Sequence, residues 1–476
     1  MTINPTGSTA SLATLTATEL GSLFASRAIS PVEVTRAVLE RAEAKQAELN
    51  CFYAIDAAGA TAAAEASEKR WAAGEPLGAI DGVPATIKEN VALAGFSQPS
   101  GTAAKFDAPP ATADGPLAAR LKESGGVIFG ITVMPDYGML SSGVSSLHGI
   151  TRSPWNPAWT VGGSSGGAGA AAAAGVGPLH SGSDIGGSLR LPATWLGLFT
   201  LKPSSGRVAV DPPYMGRVAG PLTRTVDDAA LMMSVMTRPD IRDYTSLGQQ
   251  DLDWSDIHYP DLDSAMRGKK VAFHLEGGAG LPTDPEVAAA IQDAVSHFAA
   301  AGAEITEIAP PMTEEYLDDL DMFLRVRSLG DFEALSPERQ AMVLPFIQDW
   351  VLAGQGVTGV ESLRHYQTIQ SMRDSTVRST APYDLVLSAA SPVAAFPAEW
   401  PMPSNDAATS LHHIAYTAPY NFSEQPASTL NCGFTADGRP IGLQIAGRRY
   451  DDLEVMRASH WYEQTRPSSA NPAWPL

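Results

Sequence analysis

Cysteine is nearly absent from this chain: Cys51 and Cys432 are the only two in 476 residues. Two thiols cannot make a disulfide framework, and a cysteine-rich zinc site is excluded. Basic side chains are also few, 32 Lys and Arg against 52 Asp and Glu, for a formal charge of −20. A field of that sign repels phosphate backbones and anionic lipid, so neither nucleic acid nor a membrane surface is an expected partner. Long apolar runs are missing as well. Residues 168–176, the longest small apolar stretch, are interrupted by glycine and fall far short of the ~20 residues a spanning helix needs. Residues 1–12 are polar, with no basic segment leading into an apolar one, so no secretory signal is read and a cytoplasmic location is expected. What remains is 44% hydrophobic and 18% charged, enough to bury a large core in one large domain or several smaller ones.

Helix starts are well marked near the N-terminus. Thr16 with Glu19 and Ser30 with Glu33 have capping-box spacing, and Pro31 falls where a first helical residue tolerates losing its N–H. Residues 32–47 repeat apolar side chains at helical spacing. After Gly82 the texture changes to short runs bounded by Gly and Pro. Residues 117–122 read as a helix and 126–132 as a buried strand; 270–275, 304–308, 384–388 and 441–446 are further strand candidates. Thr283 and Glu286 again have capping-box spacing between two of these strands. The alternation predicts an α/β layer architecture, a largely buried sheet with helices packed on it. Residues 239–268 are polar and acidic and read as a surface excursion, and residues 314–321 as a solvated helix face. Residues 350–360 and 394–405 lack regular pattern; such loops either border active sites or simply connect elements.

The unusual part of the chain is residues 162–188. Gly162-Gly163-Ser164-Ser165-Gly166-Gly167 leads into an alanine-rich helix, followed by Gly182-Ser183-Asp184-Ile185-Gly186-Gly187-Ser188. Ten glycines fall between positions 162 and 187, a density that implies backbone angles or close approaches a Cβ would forbid. Ser164 and Ser188 each follow a glycine pair, a setting that exposes a hydroxyl among unpaired backbone N–H groups, the donors an acyl-transfer oxyanion hole requires. Tight turns around a small-residue helix would explain the same glycines. A phosphate-binding P-loop does not fit, because no Gly-Lys-Ser/Thr follows. A Gly-x-Ser-x-Gly nucleophile elbow at 162–166 would need a His–Asp pair, yet none of the nine histidines is marked out by its context. His180, His412 and His413 read as structural.

Upstream, Asp81-Gly82-Val83-Pro84-Ala85-Thr86-Ile87-Lys88-Glu89-Asn90 sets a single lysine at the end of a short apolar run. This segment and the two Gly/Ser loops, in this order, resemble the amidase signature family. Ser30-Pro31-Val32-Glu33-Val34, Asn156-Pro157, Asn421-Phe422 through Gln425-Pro426-Ala427, and Gly438-Arg439-Pro440-Ile441-Gly442-Leu443-Gln444 extend the match over nearly the whole chain. The resemblance implies one amidase-signature domain over residues 1–476, with a mostly parallel or mixed twisted sheet flanked by helices on both faces. Its parts would be a helical N-terminal region about 10–75, a catalytic core about 80–235, the excursion about 239–268, and a C-terminal part about 269–470 that completes the same sheet.

The resemblance also implies a Ser–cis-Ser–Lys triad: Ser188 as nucleophile, Ser164 as bridge after a cis peptide bond, and Lys88 as general base. A lysine can play that part only if burial lowers its pKa toward the working pH. Lys88 is therefore expected to be buried, bonded to serine hydroxyls, and unpaired with Glu89 or Asp81. The N–H groups of Ile185, Gly186 and Gly187, with that of Ser188, are the implied oxyanion hole; Ser165, Asp184 and Arg190 would brace the loops. Gly138, Met139 and Leu140 would form an open, apolar acyl-side wall. With Trp155, Trp195 and Trp400 they suggest a small hydrophobic or aryl amide, anilide or carbamate, hydrolysed with water. No metal and no organic cofactor is implied, and the enzyme would be a monomer or homodimer. The alternatives are an amidotransferase-type subunit or a non-catalytic assembly component. Against the former, Ile414 stands near where that branch carries an acid, and residues 323–379 lack its basic signature.

Overall fold

The structure, a computed structural model, describes residues 12–476. The polar N-terminal segment therefore lies, apart from Leu12, outside the described residues. From Leu12 onward the chain is organised around one 11-stranded sheet. Its strands are β1 (Phe52–Ile55), β2 (Pro84–Lys88), β3 (Val127–Thr132), β6 (Leu179–Asp184), β7 (Phe199–Lys202), β8 (Val218–Thr223), β9 (Lys270–Phe273), β10 (Glu304–Glu307), β11 (Leu385–Ala389), β12 (Ala427–Phe434) and β13 (Pro440–Gly447). A separate two-stranded hairpin, β4 (Val144–Ser145) and β5 (Gly149–Ile150), stands apart. The order across the sheet is β1-β3-β2-β6-β8-β7-β12-β13-β11-β9-β10. Strands β3, β2 and β6 run parallel, as do β11, β9 and β10; the remaining neighbours are antiparallel. The sheet is thus mixed, with helices packed against it.

Local chemistry explains most of the boundaries. Thr16 and Ser30 both close capping boxes, with Glu19 and Glu33, on helices Ala17–Ala25 and Pro31–Leu49. Ahead of helix Pro285–Ala300 the cap is Asp284, not Thr283, because Pro285 takes the first helical position and the cap falls on the residue before it. The Thr283 hydroxyl bonds Glu276 and Tyr416 instead. The segment 239–268 is mostly exposed and irregular, as read, and is pinned by Trp254, Ile257 and Met266, which are buried in the main core. On helix Glu314–Glu333 the acidic side chains are partly engaged, Asp321 by Arg325 and Trp350, and Asp319 by His365.

Strands β2, β3, β6 and β8 are buried at every position. Strand β6, Leu-His-Ser-Gly-Ser-Asp, has poor strand propensity and escapes sequence reading. Its place between β2 and β8 makes it a strand, since burial on both sides outweighs propensity. The small side chains of helix Gly166–Ala173 allow the close packing that carries it across this part of the sheet. At Gly167 a Cβ would lie 2.5 Å from the Cys51 carbonyl oxygen and 2.7 Å from Val133 N.

Candidate active site

Lys88 is the last residue of β2 and is fully buried. Its Nζ donates to Ser164 Oγ at 2.7 Å, Ser165 Oγ at 3.1 Å and Ser183 Oγ at 3.2 Å. The nearby carboxylates are engaged elsewhere. Glu89 accepts from Gly101 N–H and lies 2.8 Å from His148 Nε2, and Asp81 is paired with Arg70. Burial, and next the Arg217 charge, push the Lys88 amine down to about 7.

The first glycine loop is shaped by lack of room. The Gly163–Ser164 peptide bond is cis, and a Cβ on Gly163 would meet Leu140 O at 2.4 Å and Ser142 O at 2.6 Å. Ser165 stitches the two loops together. Its hydroxyl donates to Ser183 O and accepts from Ser183 N–H, both at 3.2 Å, and its own N–H donates to Ser188 O at 3.2 Å.

In the second loop, Asp184 ends β6 and accepts from the N–H of Gly187 at 2.8 Å and of Leu189 at 3.1 Å. Arg190 pairs with it at 3.0 Å and also donates to Thr417 O, Gln444 Oε1 and Asn421 Oδ1. Burial alone would raise the Asp184 carboxyl; Arg190 and Asn421 hold it well below the usual carboxylate range. The Thr417 hydroxyl donates to Gly186 O at 2.6 Å. The implied oxyanion hole needs one correction. Gly187 N–H is already spent on Asp184, whereas the N–H groups of Ile185, Gly186 and Ser188 have no acceptor among the described residues. Ser188 is half-buried, and no hydrogen bond joins its hydroxyl to Ser164 among the described residues. A serine hydroxyl turns on one torsion, and such contacts tighten when substrate fills a site.

A cavity of about 640 Å³ opens on Ile185, lined by Met134, Tyr137, Met139, Phe332, Ile347 and Val351, with Asn90, Lys105, Arg217, Arg327, Asp211 and Asp331 among its polar groups. Of the three wall residues read from sequence, Met139 lines it. Gly138 lies against Ser164, its absent Cβ 3.3 Å from Oγ. Leu140 is not in the wall: it is 2% exposed and packs in the core with Trp195. The tryptophans are not in it either. Trp195 stacks edge-on against Phe396, Trp155 packs between Phe434 and Trp474, and Trp400 is exposed. The lining is mixed, with five charged side chains, and not the apolar surface expected.

The family model described as Amidase matches residues 33–456. The chain belongs to the amidase family. Among relatives of this amidase, an acylamidase of Rhodococcus erythropolis is 34% identical over 95% of the chain and 96% of its own length. A glutamyl-tRNA(Gln) amidotransferase subunit of Myxococcus xanthus is 33% identical over 95% and 97%. A bacterial aryl acylamidase structure of the amidase signature family superposes with a TM-score of 0.87 at 27% identity, covering 96% of this chain and 98% of the other. The structure of 6-aminohexanoate cyclic dimer hydrolase gives 0.85 at 25%, over 98% and 99%. The amidase is a hydrolase of carbon–nitrogen bonds, built as one α/β domain.

Four residues at the site of this amidase escape the sequence reading. Ser183 is the third hydroxyl on Lys88, Asn90 donates to that same hydroxyl at 2.9 Å, Arg217 lends its charge, and Thr417 fixes Gly186. Ser183, inside the Gly182–Ser188 motif, and Asn90, at the end of the Lys88 segment, carry a local signal; Arg217 and Thr417 carry none. No helix of the described residues is long and apolar enough to cross a membrane.

Proposed function

We propose that this amidase cleaves amides through an acyl-enzyme on Ser188. The neutral amine of Lys88 takes the Ser188 proton by way of the Ser164 hydroxyl as Ser188 Oγ bonds the carbonyl carbon. The tetrahedral oxyanion is held by the N–H groups of Ile185, Gly186 and Ser188, each worth about 10²–10³ in turnover. Collapse breaks the C–N bond, the relay returns the proton to the leaving amine, and water then releases the acid by the same path. For a carbamate the acyl part leaves as alcohol and carbon dioxide. The observation that carries this reading is Lys88: buried, bonded to three serine hydroxyls and to no carboxylate.

The substrate is a small hydrophobic or aryl amide, anilide or carbamate. Met134, Met139, Ile185 and Phe332 give the cavity an apolar side, and the acylamidase and aryl acylamidase relatives agree with it. The enzyme works as a monomer or homodimer in the cytoplasm, a setting that suits two free buried thiols. A chromogenic anilide assay on wild type, Ser188→Ala and Lys88→Ala tests the mechanism. Both variants are expected to fold and to lose at least about 10³ in kcat/KM; a Ser188→Ala enzyme with most of its activity would overturn it. The amidotransferase reading draws on relatives such as the Myxococcus xanthus protein. Against it, Ile414 packs its Cδ1 over Gly186, where the resemblance puts an acid for a glutamine amine. Release of ammonia from glutamine faster than turnover of anilides would favour it.

A further inference from the structure

Away from the cavity, Asp227, His258 and His460 come together from three separate stretches: the first turn of helix Val226–Met236, the 239–268 segment, and helix Asp452–Thr465. One carboxylate oxygen and one ring nitrogen from each histidine lie within 4.8 Å of one another. Both Nε2 atoms face Asp227 Oδ1, at 2.9 Å from His258 and 3.9 Å from His460. The two rings meet edge to face with centroids 4.4 Å apart. Tetrahedral zinc, with bonds of about 2.0–2.1 Å, sets its ligand atoms about 3.3 Å apart. The separations to Asp227 bracket that value, and small side-chain shifts reach it.

A second observation fixes which nitrogen of His258 is available. Its Nδ1 lies 3.2 Å from the carbonyl oxygen of Ser255, which can only accept, so Nδ1 carries the hydrogen. Nε2 of the same ring faces a carboxylate oxygen of Asp227 at 2.9 Å, a gap that a proton or a cation can bridge. A carbonyl on the outer ring nitrogen is the arrangement by which metal-binding histidines hold their tautomer. No Lys or Arg pairs with Asp227 among the described residues, while His460 is buried and His258 exposed, leaving one side open to a water as fourth ligand.

We infer that Asp227, His258 and His460 form a binding site for one divalent transition-metal ion of the zinc class, which ties the 239–268 segment to the two helices. Imidazole with a single carboxylate suits Zn²⁺ or Co²⁺; Mg²⁺ and Ca²⁺ favour all-oxygen sets. The site stands apart from the residues of amide cleavage.

The test uses the full-length chain without a histidine tag, stripped with chelator and titrated with Zn²⁺ at pH 8 by calorimetry. One ion per chain is expected, with affinity at least about tenfold weaker in His258→Ala and in Asp227→Asn, and anilide turnover of His258→Ala unchanged. Co²⁺ should give the visible absorption of a four-coordinate site in wild type and lose it in both variants. His258 is exposed, so its removal leaves folding intact. Failure of wild type to bind Zn²⁺, or unchanged affinity and spectrum in both variants, would mean that a shared proton alone bridges these groups and would overturn the site.

Discussion

Lys88 carries a pH dependence whose sign follows from its burial. Its amine titrates at about 7 in the folded chain against 10.5 for an ordinary lysine. Only the neutral form accepts a proton, so kcat/KM for an anilide is expected to rise as pH passes about 7 and to level off above it; a profile flat down to pH 5.5 would contradict Lys88 as base. Stability runs with the same linkage. Between pH 7 and 10.5 the unfolded chain holds a proton that the folded chain lacks, so this residue's contribution improves as pH rises, and its full cost is felt below pH 7. Lys88→Met is therefore expected to abolish turnover while stabilising the fold at pH 6 by on the order of 1–4 kcal/mol, a gain that fades toward pH 10. Urea unfolding at the two pH values measures it.

At the scale of elements, the loop after β6 depends on one buried ion pair. Arg190 and Asp184 are both fully buried, and Asp184 also collects Gly187 and Leu189 N–H groups. Arg190→Met leaves that carboxylate buried without its cation, a loss of about 3–5 kcal/mol. It should also loosen the Ser188 loop, which Arg190 ties to Thr417, Asn421 and Gln444, and lower kcat more than it raises KM. Urea midpoints and anilide kinetics on the variant check both expectations. The helix Gly166–Ala173 has a different vulnerability. Gly167→Ala would drive a methyl group into the Cys51 carbonyl and Val133 backbone, which cannot yield as side chains can. The expected cost is about 3 kcal/mol or more, seen as a lower thermal midpoint.

At the scale of the molecule, the four regions marked out along the sequence are not separable units. Strand β7 pairs with β8 on one side and with β12 on the other, so residues beyond 268 complete the sheet that carries Lys88. Arg190 likewise reaches Thr417, Asn421 and Gln444 from the C-terminal part. A chain ending at residue 268 would expose the edge of β7 and lose those acceptors, and is expected to aggregate on expression. Soluble, cooperative unfolding of that fragment in a sedimentation and circular dichroism experiment would contradict this view of the fold.

Much of this was legible in the sequence because it is local. The Ser30–Glu33 and Thr16–Glu19 caps need only a spacing of three, β3 needs only a run of apolar residues, and the order of Lys88, the Ser164 loop and the Ser188 loop is a property of the chain itself. What stayed hidden depends on partners remote in sequence. Nothing near Leu140 tells that it turns into the core while Met139 faces the cavity, nor that Thr417 reaches Gly186 from the C-terminal part. The gathering of Asp227, His258 and His460 is of the same kind. Periodicity states which face of an element is apolar; only packing decides which donors meet which acceptors across it, because each hydrogen bond is spent once.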